Sequence, residues 1–353
     1  MPNIMLPQTR YYGSKRKIVD KIWNVLINEA NLEFESVLDV FGGSGAFSYF
    51  AKLNEKQVFY NDIFQFNYFI GKKLIEQNSN ELTYEDAVDL FNKDPGKKYF
   101  NYVSDYYNDI YFTDEENNQI DIYIQNVLAL ENESIKCSAL YILFQSCLMK
   151  RPYNLFHRKN LNMRVNYTTG NFGNKKTWER SFAELFERFI LELNKVCFDN
   201  GADNTSNNFN ALNCPLNADL VYIDPPYFTS KSSASYHNKY HFLEGLVNYY
   251  KIPESINFDK INREITINSS KEFESKLNFL DDLSKLIENH LNSHIVISYR
   301  NNGVPSILEI GNLLRQYANF EVLEFNLGKY NYALNKNNSL NEEVLFVCRN
   351  LNR

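Results

Sequence analysis

The chain has 353 residues, of which 44% are hydrophobic, 15% aromatic and 23% charged. This aromatic content excludes disordered and fibrous proteins, and no apolar run is long enough to cross a membrane as a helix. The N-terminus lacks the apolar stretch of a signal peptide, so we expect a cytoplasmic protein. The five cysteines are scattered without a CxxC pair, which favours reduced thiols over a disulfide framework or a zinc site.

The first part of the chain predicts alternating strands and helices. Residues 36–41 (SVLDVF) are apolar and stop at GGSG, which predicts a buried parallel strand, a glycine turn and a helix. A second strand at 57–61 ends at Asp62, and a helical pattern continues to about residue 77. This alternation favours an open α/β sheet covered on both faces. From about 80 to 200 the pattern predicts an inserted, largely helical lobe.

The sheet pattern resumes in the second half of the chain. Four further strands are predicted, at 219–223, 294–299, 320–327 and 342–348. The last two predict a terminal antiparallel hairpin. A polar segment at 201–208 (GADNTSNN) predicts a mobile junction. The predicted division is therefore a core of residues 1–78 and 206–353 with an inserted lobe of residues 79–205.

The net charge of −6 contains a local basic band. Residues 150–176 carry seven Lys or Arg and no acid, which leaves 30 basic and 43 acidic residues, a balance of −13, in the rest of the chain. Such a band is typical of a protein that meets phosphates on one face, and a solvated loop is the alternative. Five cations alternate here with planar side chains that can wedge between bases or stack on them: Lys150, Arg151, Arg158, Lys159 and Arg164 with Tyr153, Phe156 and His157.

The glycine turn predicts a ligand at the sheet edge. It comprises residues 39–45 (DVFGGSG), where glycines let the backbone approach a ligand and open the next helix. Asp62, at the end of the second strand, is placed to accept hydrogen bonds from a ribose diol. A nucleoside cofactor is one interpretation; a nicotinamide dehydrogenase or a plain turn gives the same pattern.

The tetrad Asp224-Pro225-Pro226-Tyr227 directly follows the strand VYI, at the carboxyl edge where α/β proteins bind ligands. Its parts suit methylation of an exocyclic amino group on a nucleobase. The Asp224 carboxylate and the Pro225 carbonyl can accept the two N–H groups, and the two prolines fix the direction of that carbonyl. Tyr227 offers a face on which a flipped base can stack. A dehydrogenase has no use for this tetrad.

These motifs resemble those of the Dam-like (D12 class, alpha-group) N6-adenine DNA methyltransferases. The resemblance lies in four ordered segments: RYYGSK at 10–15, DVFGGSG at 39–45, ND at 61–62 and DPPY at 224–227. It implies a Rossmann-like methyltransferase sheet with an inserted, mainly helical target-recognition lobe. It also implies S-adenosylmethionine as the methyl donor and double-stranded DNA as the substrate.

The resemblance further implies site residues. Catalytic roles fall on Asp224, Pro225, Pro226 and Tyr227. Cofactor contacts fall on Tyr11, Tyr12, Gly13, Ser14, Lys15, Asp39, Phe41, Gly43, Ser44, Gly45, Asp62, Asn210 and Asp224. At Asn210 the family usually has an acid, so this chain departs from the pattern there. A matching basic, Asn-containing loop reaches DNA in the family, which implies DNA contacts at Lys150, Arg151, Tyr153, Asn154, Arg158, Lys159 and Arg164.

A polar loop follows the tetrad at 228–242 and ends in His237 and His241. Their i, i+4 spacing is that of a metal pair, but no HExxH context or third ligand accompanies it, so we expect no metal. Family members carry a similar loop over the flipped base, so the resemblance implies a mobile lid here. Tyr299, Arg300 and Asn301 follow the next strand at the same edge and are predicted pocket-rim residues.

The sequence therefore predicts direct methyl transfer to adenine N6 in DNA, without a covalent enzyme intermediate, in a restriction-modification system or by an orphan methylase. A cognate restriction endonuclease acting separately is a possible partner. The alternatives are N4-cytosine DNA or RNA amino-methylation, a non-catalytic DNA-binding module, and a nicotinamide oxidoreductase.

Overall fold

A computed structural model of the protein describes residues 6–166, 175–228, 236–267, 272–329 and 341–353. The chain forms two compact units. The core unit comprises the described residues of 11–76, 199–228, 272–329 and 341–353, and the helical unit comprises those of 6–10, 77–198 and 236–267. The helical unit thus includes residues 236–267, in addition to most of the predicted lobe.

The core unit contains a seven-stranded sheet in the order β3-β2-β1-β4-β5-β7-β6. Its strands are β1 (Ser36–Asp39), β2 (Gln57–Asn61), β3 (Thr205–Asn207), β4 (Leu220–Ile223), β5 (His294–Arg300), β6 (Phe320–Lys329) and β7 (Glu342–Asn350). The strands from β3 to β5 in that order are parallel, and β7 lies antiparallel between β5 and β6. Because parallel strands end at one edge, the residues after β1, β2 and β4 are brought together.

The described residues form fourteen α-helices. In chain order they are α1 (Val19–Asn24), α2 (Ala46–Leu53), α3 (Gln65–Gly71), α4 (Tyr84–Asp89), α5 (Tyr102–Tyr106), α6 (Asp114–Leu128), α7 (Glu133–Met149), α8 (Leu161–Val165), α9 (Lys175–Glu179), α10 (Phe182–Val196), α11 (Tyr236–Val247), α12 (Ile252–Ser255), α13 (Phe279–Glu288) and α14 (Ile307–Leu314). Two π-helical segments, Val25–Glu29 and Lys72–Glu76, extend α1 and α3.

The structure confirms the predicted α/β class, its mostly parallel sheet and its terminal antiparallel hairpin. The prediction of a mobile junction at residues 201–208 is wrong for Thr205–Asn207, because these residues form β3 and pair with β2. This strand is polar and only three residues long, so it carries no hydrophobic period. Backbone pairing and polar contacts hold it instead, since the Ser206 N–H donates to Glu76 at 2.9 Å and its hydroxyl to the Tyr68 carbonyl at 2.8 Å.

The helical unit is built from well-capped helices around an apolar centre. Capping boxes start α6, where Thr113 and Glu116 exchange hydrogen bonds, and α10, where Ser181 and Glu184 do so. Helix α7 is buried along thirteen of its seventeen residues. Among the described residues, no helix is both long and apolar enough to span a membrane.

Candidate active site

The glycine turn after β1 is held open by the end of β2. Gly43 and Gly45 have φ of +50° and +71°, a region that glycine enters without the steric cost of a side chain. The Tyr60 hydroxyl donates to the Gly43 carbonyl at 2.9 Å, and the Gly42 N–H donates to the Asn61 carbonyl at 2.8 Å. The turn leads directly into α2, so its backbone is placed to meet a ligand at the sheet edge.

Asp62 organises this turn from the neighbouring strand. One carboxylate oxygen accepts from the Gly43 N–H at 2.8 Å and the other from the Phe64 N–H at 2.8 Å. Burial raises the pKa of Asp62 to about 6, although these two N–H groups favour its charged form. The Asn67 side chain is a third donor, so about one acceptor position of the Asp62 carboxylate remains for a ligand.

Asp39 is buried at the end of β1 with its hydrogen bonding incomplete. Its Oδ2 accepts from the Ser48 hydroxyl at 2.6 Å, whereas its Oδ1 has no hydrogen-bond partner in the described part of the chain. Burial raises the pKa of Asp39 to about 7, and the charges of Asp224 and Asp62 act in the same direction. Three acids at one edge of the sheet favour the binding of a positively charged group at that edge.

The N-terminal motif packs against the glycine turn. The Tyr11 ring lies so close to Gly43 that a Cβ there would be 3.0 Å from its Cε1, and the Tyr11 hydroxyl accepts from Asn67 at 3.3 Å. Ser14 and Ser44 share a hydrogen bond of 2.8 Å between their hydroxyls. Burial raises the pKa of Tyr12. The predicted cofactor segments 11–15 and 39–45 are therefore neighbours in the core unit.

Lys15 meets the Asp-Pro-Pro-Tyr tetrad. Its Nζ lies 2.7 Å and 2.8 Å from the two Asp224 carboxylate oxygens, and it also donates to the Tyr227 hydroxyl. The Tyr227 hydroxyl is hydrogen-bonded to Asp224 as well. Burial raises the pKa of Asp224 to about 6, and Lys15 opposes this shift. The Tyr227 ring is 4% exposed, with the Lys15 ammonium 4.7 Å from its centroid, so stacking of a base on Tyr227 stays a prediction.

A second acid, Glu343 on β7, completes this cluster. Its carboxylate lies 3.3 Å from Lys15 Nζ and 3.2 Å from the Tyr227 hydroxyl, and it accepts from Ser298 at 2.6 Å. Glu343 was not predicted from the sequence, because it lies within an apolar strand and far along the chain from the motifs. The one available signal was an acid in a strand whose other residues are mostly apolar, since a buried acid requires a partner.

Another acid, Glu272, lies next to Asn210. The Asn210 amide donates to Glu272 at 3.0 Å, and its carbonyl oxygen accepts from the Leu212 N–H at 2.9 Å. Nearby along the same edge, the Phe41 and Phe273 rings meet edge to face at 5.1 Å. An acid is thus present beside the position where the sequence departs from the family pattern, but it is supplied by another segment.

The helical unit places the basic band in two environments. Lys150 and Arg164 are buried and share Glu116, with N–O distances of 2.8 Å and 2.7 Å. Lys150 also donates to the carbonyls of Trp178 and Arg180. Both cations are paired with this one acid within the unit, and the two pairs tie the end of α7 and helix α8 to the start of α6.

Arg151 is the largest fully buried side chain of the protein's described residues. Its guanidinium donates to the carbonyls of Tyr111, Leu155 and Arg158 at 2.9–3.3 Å, and also to the Asn160 side chain. Burial lowers the pKa of Arg151 to about 9, which leaves it charged at neutral pH. Arg151 therefore fixes the path of residues 152–160.

The loop that Arg151 holds exposes the remaining predicted DNA contacts. Tyr153 is 47% exposed, and Arg158 and Lys159 are also exposed. Lys159 pairs with the exposed Asp109 at 2.9 Å. The Asn154 side chain accepts from Arg10 at 3.3 Å. Phe156 is buried, and burial lowers the pKa of His157 to about 4.

The two histidines after the tetrad are engaged inside the helical unit. His241 accepts from the Ile265 N–H at 3.2 Å and lies 2.9 Å from the Tyr111 hydroxyl, and His237 lies 2.5 Å from the Ile265 carbonyl. No group of three or more His, Cys, Asp or Glu suited to a metal occurs among the described residues. Residues 229–235 of the predicted lid lie outside them, and residues 236–242 belong to helix α11 rather than to a loop.

Of the predicted rim residues, Tyr299 and Arg300 are the last two residues of β5, so the prediction that they follow the strand is wrong, and Asn301 comes directly after it. Tyr299 is buried and meets the Tyr227 ring at 5.5 Å. Arg300 donates to Asn302 at 2.6 Å, and Asn301 exchanges hydrogen bonds with the backbone of Glu342. Tyr299 therefore contacts the tetrad directly.

An α/β sheet with a glycine turn after β1, acids after β1 and β2, and Asp-Pro-Pro-Tyr after β4 defines a methyltransferase of nucleobase amino groups. The comparison with known families is more specific. Residues 11–294 match the D12 class N6 adenine-specific DNA methyltransferases, and the chain belongs to this family. It is accordingly an enzyme of a family that uses a methyl donor.

Curated relatives are named as methyltransferases or modification methylases. The chain is 28% identical to the Type II methyltransferase M2.HphI of Haemophilus parahaemolyticus, and the match covers 99% of this chain and all of that protein. It is 26% identical both to the modification methylase StsI of Streptococcus sanguinis and to the modification methylase LlaI of Lactococcus lactis subsp. lactis. The matches cover 95% and 97% of this chain but only 50% and 55% of those two proteins.

Proposed function

We propose that this protein transfers the methyl group of S-adenosylmethionine to N6 of an adenine flipped out of double-stranded DNA, as the modification enzyme of a restriction-modification system or as an orphan methylase. The observation that carries the proposal is the position of Asp224 and the Pro225 carbonyl at the end of β4, beside the glycine turn of β1.

The charge of the site supports a cationic cofactor. The carboxyl groups of Asp39, Asp62 and Asp224 lie at one edge of the sheet and favour the binding of a cation there. Asp39 Oδ1 is buried and has no hydrogen-bond partner among the described residues. S-adenosylmethionine carries a sulfonium and an ammonium, which suit this edge, whereas the pyrophosphate of a nicotinamide cofactor would be repelled. The glycine turn and Asp39 would hold its methionine part, Asp62 its ribose, and Asn210 with Glu272 its base. When bound, it supplies an activated methyl group.

The residues of the tetrad orient the amine. Asp224 accepts one N–H of the adenine amino group and the Pro225 carbonyl accepts the other, which reduces delocalisation of the nitrogen lone pair into the ring. Because both prolines have a restricted φ, this carbonyl is in place before the base enters. The reaction then needs alignment of donor and acceptor, and no covalent enzyme intermediate.

The exposed part of the basic loop is the proposed DNA-contacting surface. Arg158 and Lys159 supply charge for phosphates, and Tyr153 and Asn154 supply a ring and an amide for bases. Lys150 and the two terminal nitrogens of Arg164 bind Glu116, and Arg151 donates to backbone carbonyls, all within the helical unit. We therefore assign these three cations to the support of this loop.

The proposal is tested by incubating the protein with methyl-labelled S-adenosylmethionine and unmethylated genomic DNA, followed by nucleoside chromatography. Label in N6-methyladenosine is the expected result. Label in N4-methylcytosine would overturn the choice of base, and absence of label from DNA would overturn the proposed substrate.

Removal of charge at the exposed loop is expected to weaken DNA binding and its salt dependence. In Arg158→Gln/Lys159→Gln the slope of log K against log [salt] should become shallower by about 1.8, because each phosphate contact contributes about 0.9. The measurement is a binding titration at several salt concentrations. Arg315→Gln, an equally exposed cation of the core unit, is the control and should leave the slope unchanged. An unchanged slope in the double variant would reject this surface.

The rate of transfer is expected to fall as the pH decreases through about 6. Asp224 accepts an N–H only as a carboxylate, and its pKa is raised to about 6, so the active form is lost below that pH and retained above it. Rates at saturating cofactor and DNA separate this effect from the protonation of Asp62, which would act on cofactor affinity. A rate that is constant from pH 7.5 to 5 would contradict the assignment.

A further inference from the structure

The cluster of Lys15, Asp224 and Glu343 contains one cation and two acids. The Lys15 side chain is 2% exposed, that of Glu343 is fully buried, and that of Asp224 is 18% exposed. Lys15 Nζ contacts both Asp224 oxygens and lies 3.3 Å from Glu343. Asp224, which is partly exposed at the sheet edge, therefore binds Lys15, and the fully buried Glu343 lies close to the same ammonium.

This arrangement conflicts with the role of Asp224 as proposed above. An Asp224 whose two oxygens accept from Lys15, and one of them also from Tyr227, has little capacity left for the N–H of an incoming amine. Moving Lys15 away without another acceptor would leave a buried unpaired ammonium, which is strongly unfavourable. The Tyr227 hydroxyl is limited in the same way, because its single proton can be donated to Asp224 or to Glu343 but not to both at once.

We propose that Glu343 is a positioning residue that receives Lys15 and the Tyr227 hydroxyl when Asp224 turns to the target amine. This inference rests on the proposed function. Glu343 is suited to the task because Ser298 already fixes its carboxylate at 2.6 Å, and because the Tyr227 hydroxyl lies 3.2 Å away. This exchange of partners keeps the buried Lys15 ammonium paired with an acid in both states, while Asp224 replaces Lys15 by the N–H of the amine.

The first test uses thermal unfolding and does not depend on activity. If either acid can neutralise Lys15, Asp224→Asn and Glu343→Gln should each change Tm by less than about 2 °C, because one acid remains. The double variant should lose about 8 °C or more, since Lys15 is then buried without a counter-charge. Adding Lys15→Met to the double variant should restore most of the loss. Additive single effects, or no restoration by Lys15→Met, would overturn the shared lysine.

The second test compares kcat, KM and the pH profile of methyl transfer. Glu343→Gln should lower kcat about tenfold, the effect of about one hydrogen bond, and leave KM for DNA within twofold. The groups that face Asp224 are Lys15, Glu343, Tyr227, Asp39 and Tyr222. Because the Glu343 charge raises the pKa of Asp224, its removal should also move the acid limb of the profile to lower pH.

A merely structural role of Glu343 would not produce a lower kcat together with a more acidic limb. Glu342→Gln is the matched control on the same strand, since Glu342 is bonded to the exposed Asn326 at 2.8 Å and should leave kcat and the limb unchanged. A wild-type kcat and profile in Glu343→Gln would overturn the inference. Wild-type protein that methylates no adenine would instead reject the proposed function, and the unfolding series would still decide whether Lys15 is shared.

Discussion

Replacement of Asp224 by alanine is expected to abolish methyl transfer while cofactor binding persists. The substitution removes the acceptor that orients the adenine amine, and loss of one preorganised hydrogen-bonding group at a reacting centre costs about 10²–10³ in kcat. Lys15 keeps Glu343 as its partner, so the buried ammonium stays paired and the core unit should remain folded. Asp62 and the glycine turn, which hold most of the proposed cofactor surface, do not depend on Asp224 for their hydrogen bonds.

The measurement is a single-turnover rate of methylation together with the dissociation constant of S-adenosylmethionine. Asp224→Asn is the matched control: its amide keeps one accepting oxygen, and we expect its rate to lie between those of wild type and alanine. Simultaneous loss of rate and cofactor affinity in Asp224→Ala, with the fold intact, would contradict the separate roles given to the strand ends.

The sequence was sufficient for the parts of the site that depend on local patterns. Apolar strands that end at glycine or aspartate predicted β1, β2 and β4, and the geometry of parallel sheets then placed Asp39, Asp62 and Asp224 at one edge. Strand β3 was missed because its stability comes from pairing with β2 and from polar contacts rather than from a hydrophobic face.

Contacts between segments that are distant along the chain could not be predicted from the sequence. Glu343 reaches Lys15 across the sheet, and Glu272 lies beside Asn210 through a segment 62 residues away. Neither pair has a characteristic spacing along the chain by which a single sequence could identify it. The core unit thus supplies a buried acid where the Lys15 charge requires one, and an exchange of partners among these groups links the N-terminal motif to the tetrad.

In the basic band, the composition predicts that the residues are charged but does not predict which of them are exposed to solvent. Three of its first five cations, Lys150, Arg151 and Arg164, have buried side chains, and each has partners within the helical unit. Only Arg158 and Lys159 reach solvent. A positive segment can therefore present a small charged surface on a framework of buried cations, and the two groups should respond differently to substitution.

Arg151→Met is expected to destabilise the helical unit by about 3–5 kcal/mol without changing the salt slope of DNA binding. Methionine fills much of the volume but leaves the carbonyls of Leu155 and Arg158 and the Asn160 side chain without the Arg151 donor, and each unsatisfied buried group costs about 1–3 kcal/mol. The Tyr111 carbonyl still accepts from Arg164 at 3.2 Å. Arg158→Met is the matched control, an exposed arginine of the same loop, and should alter the free energy of unfolding by less than about 0.5 kcal/mol. The measurements are urea unfolding and binding titrations at several salt concentrations.

The two arginines are thereby expected to give opposite results. Arg158→Met should make the salt slope shallower by about 0.9 and leave stability unchanged, because an exposed guanidinium neutralises a phosphate but supports no buried group. Arg151→Met should lower stability and weaken DNA binding to a similar extent at every salt concentration, since it disturbs the loop that presents Tyr153 and Arg158 rather than a phosphate contact. A shallower slope for Arg151→Met with unchanged unfolding would place Arg151 on the DNA-contacting surface and refute its assignment as a support.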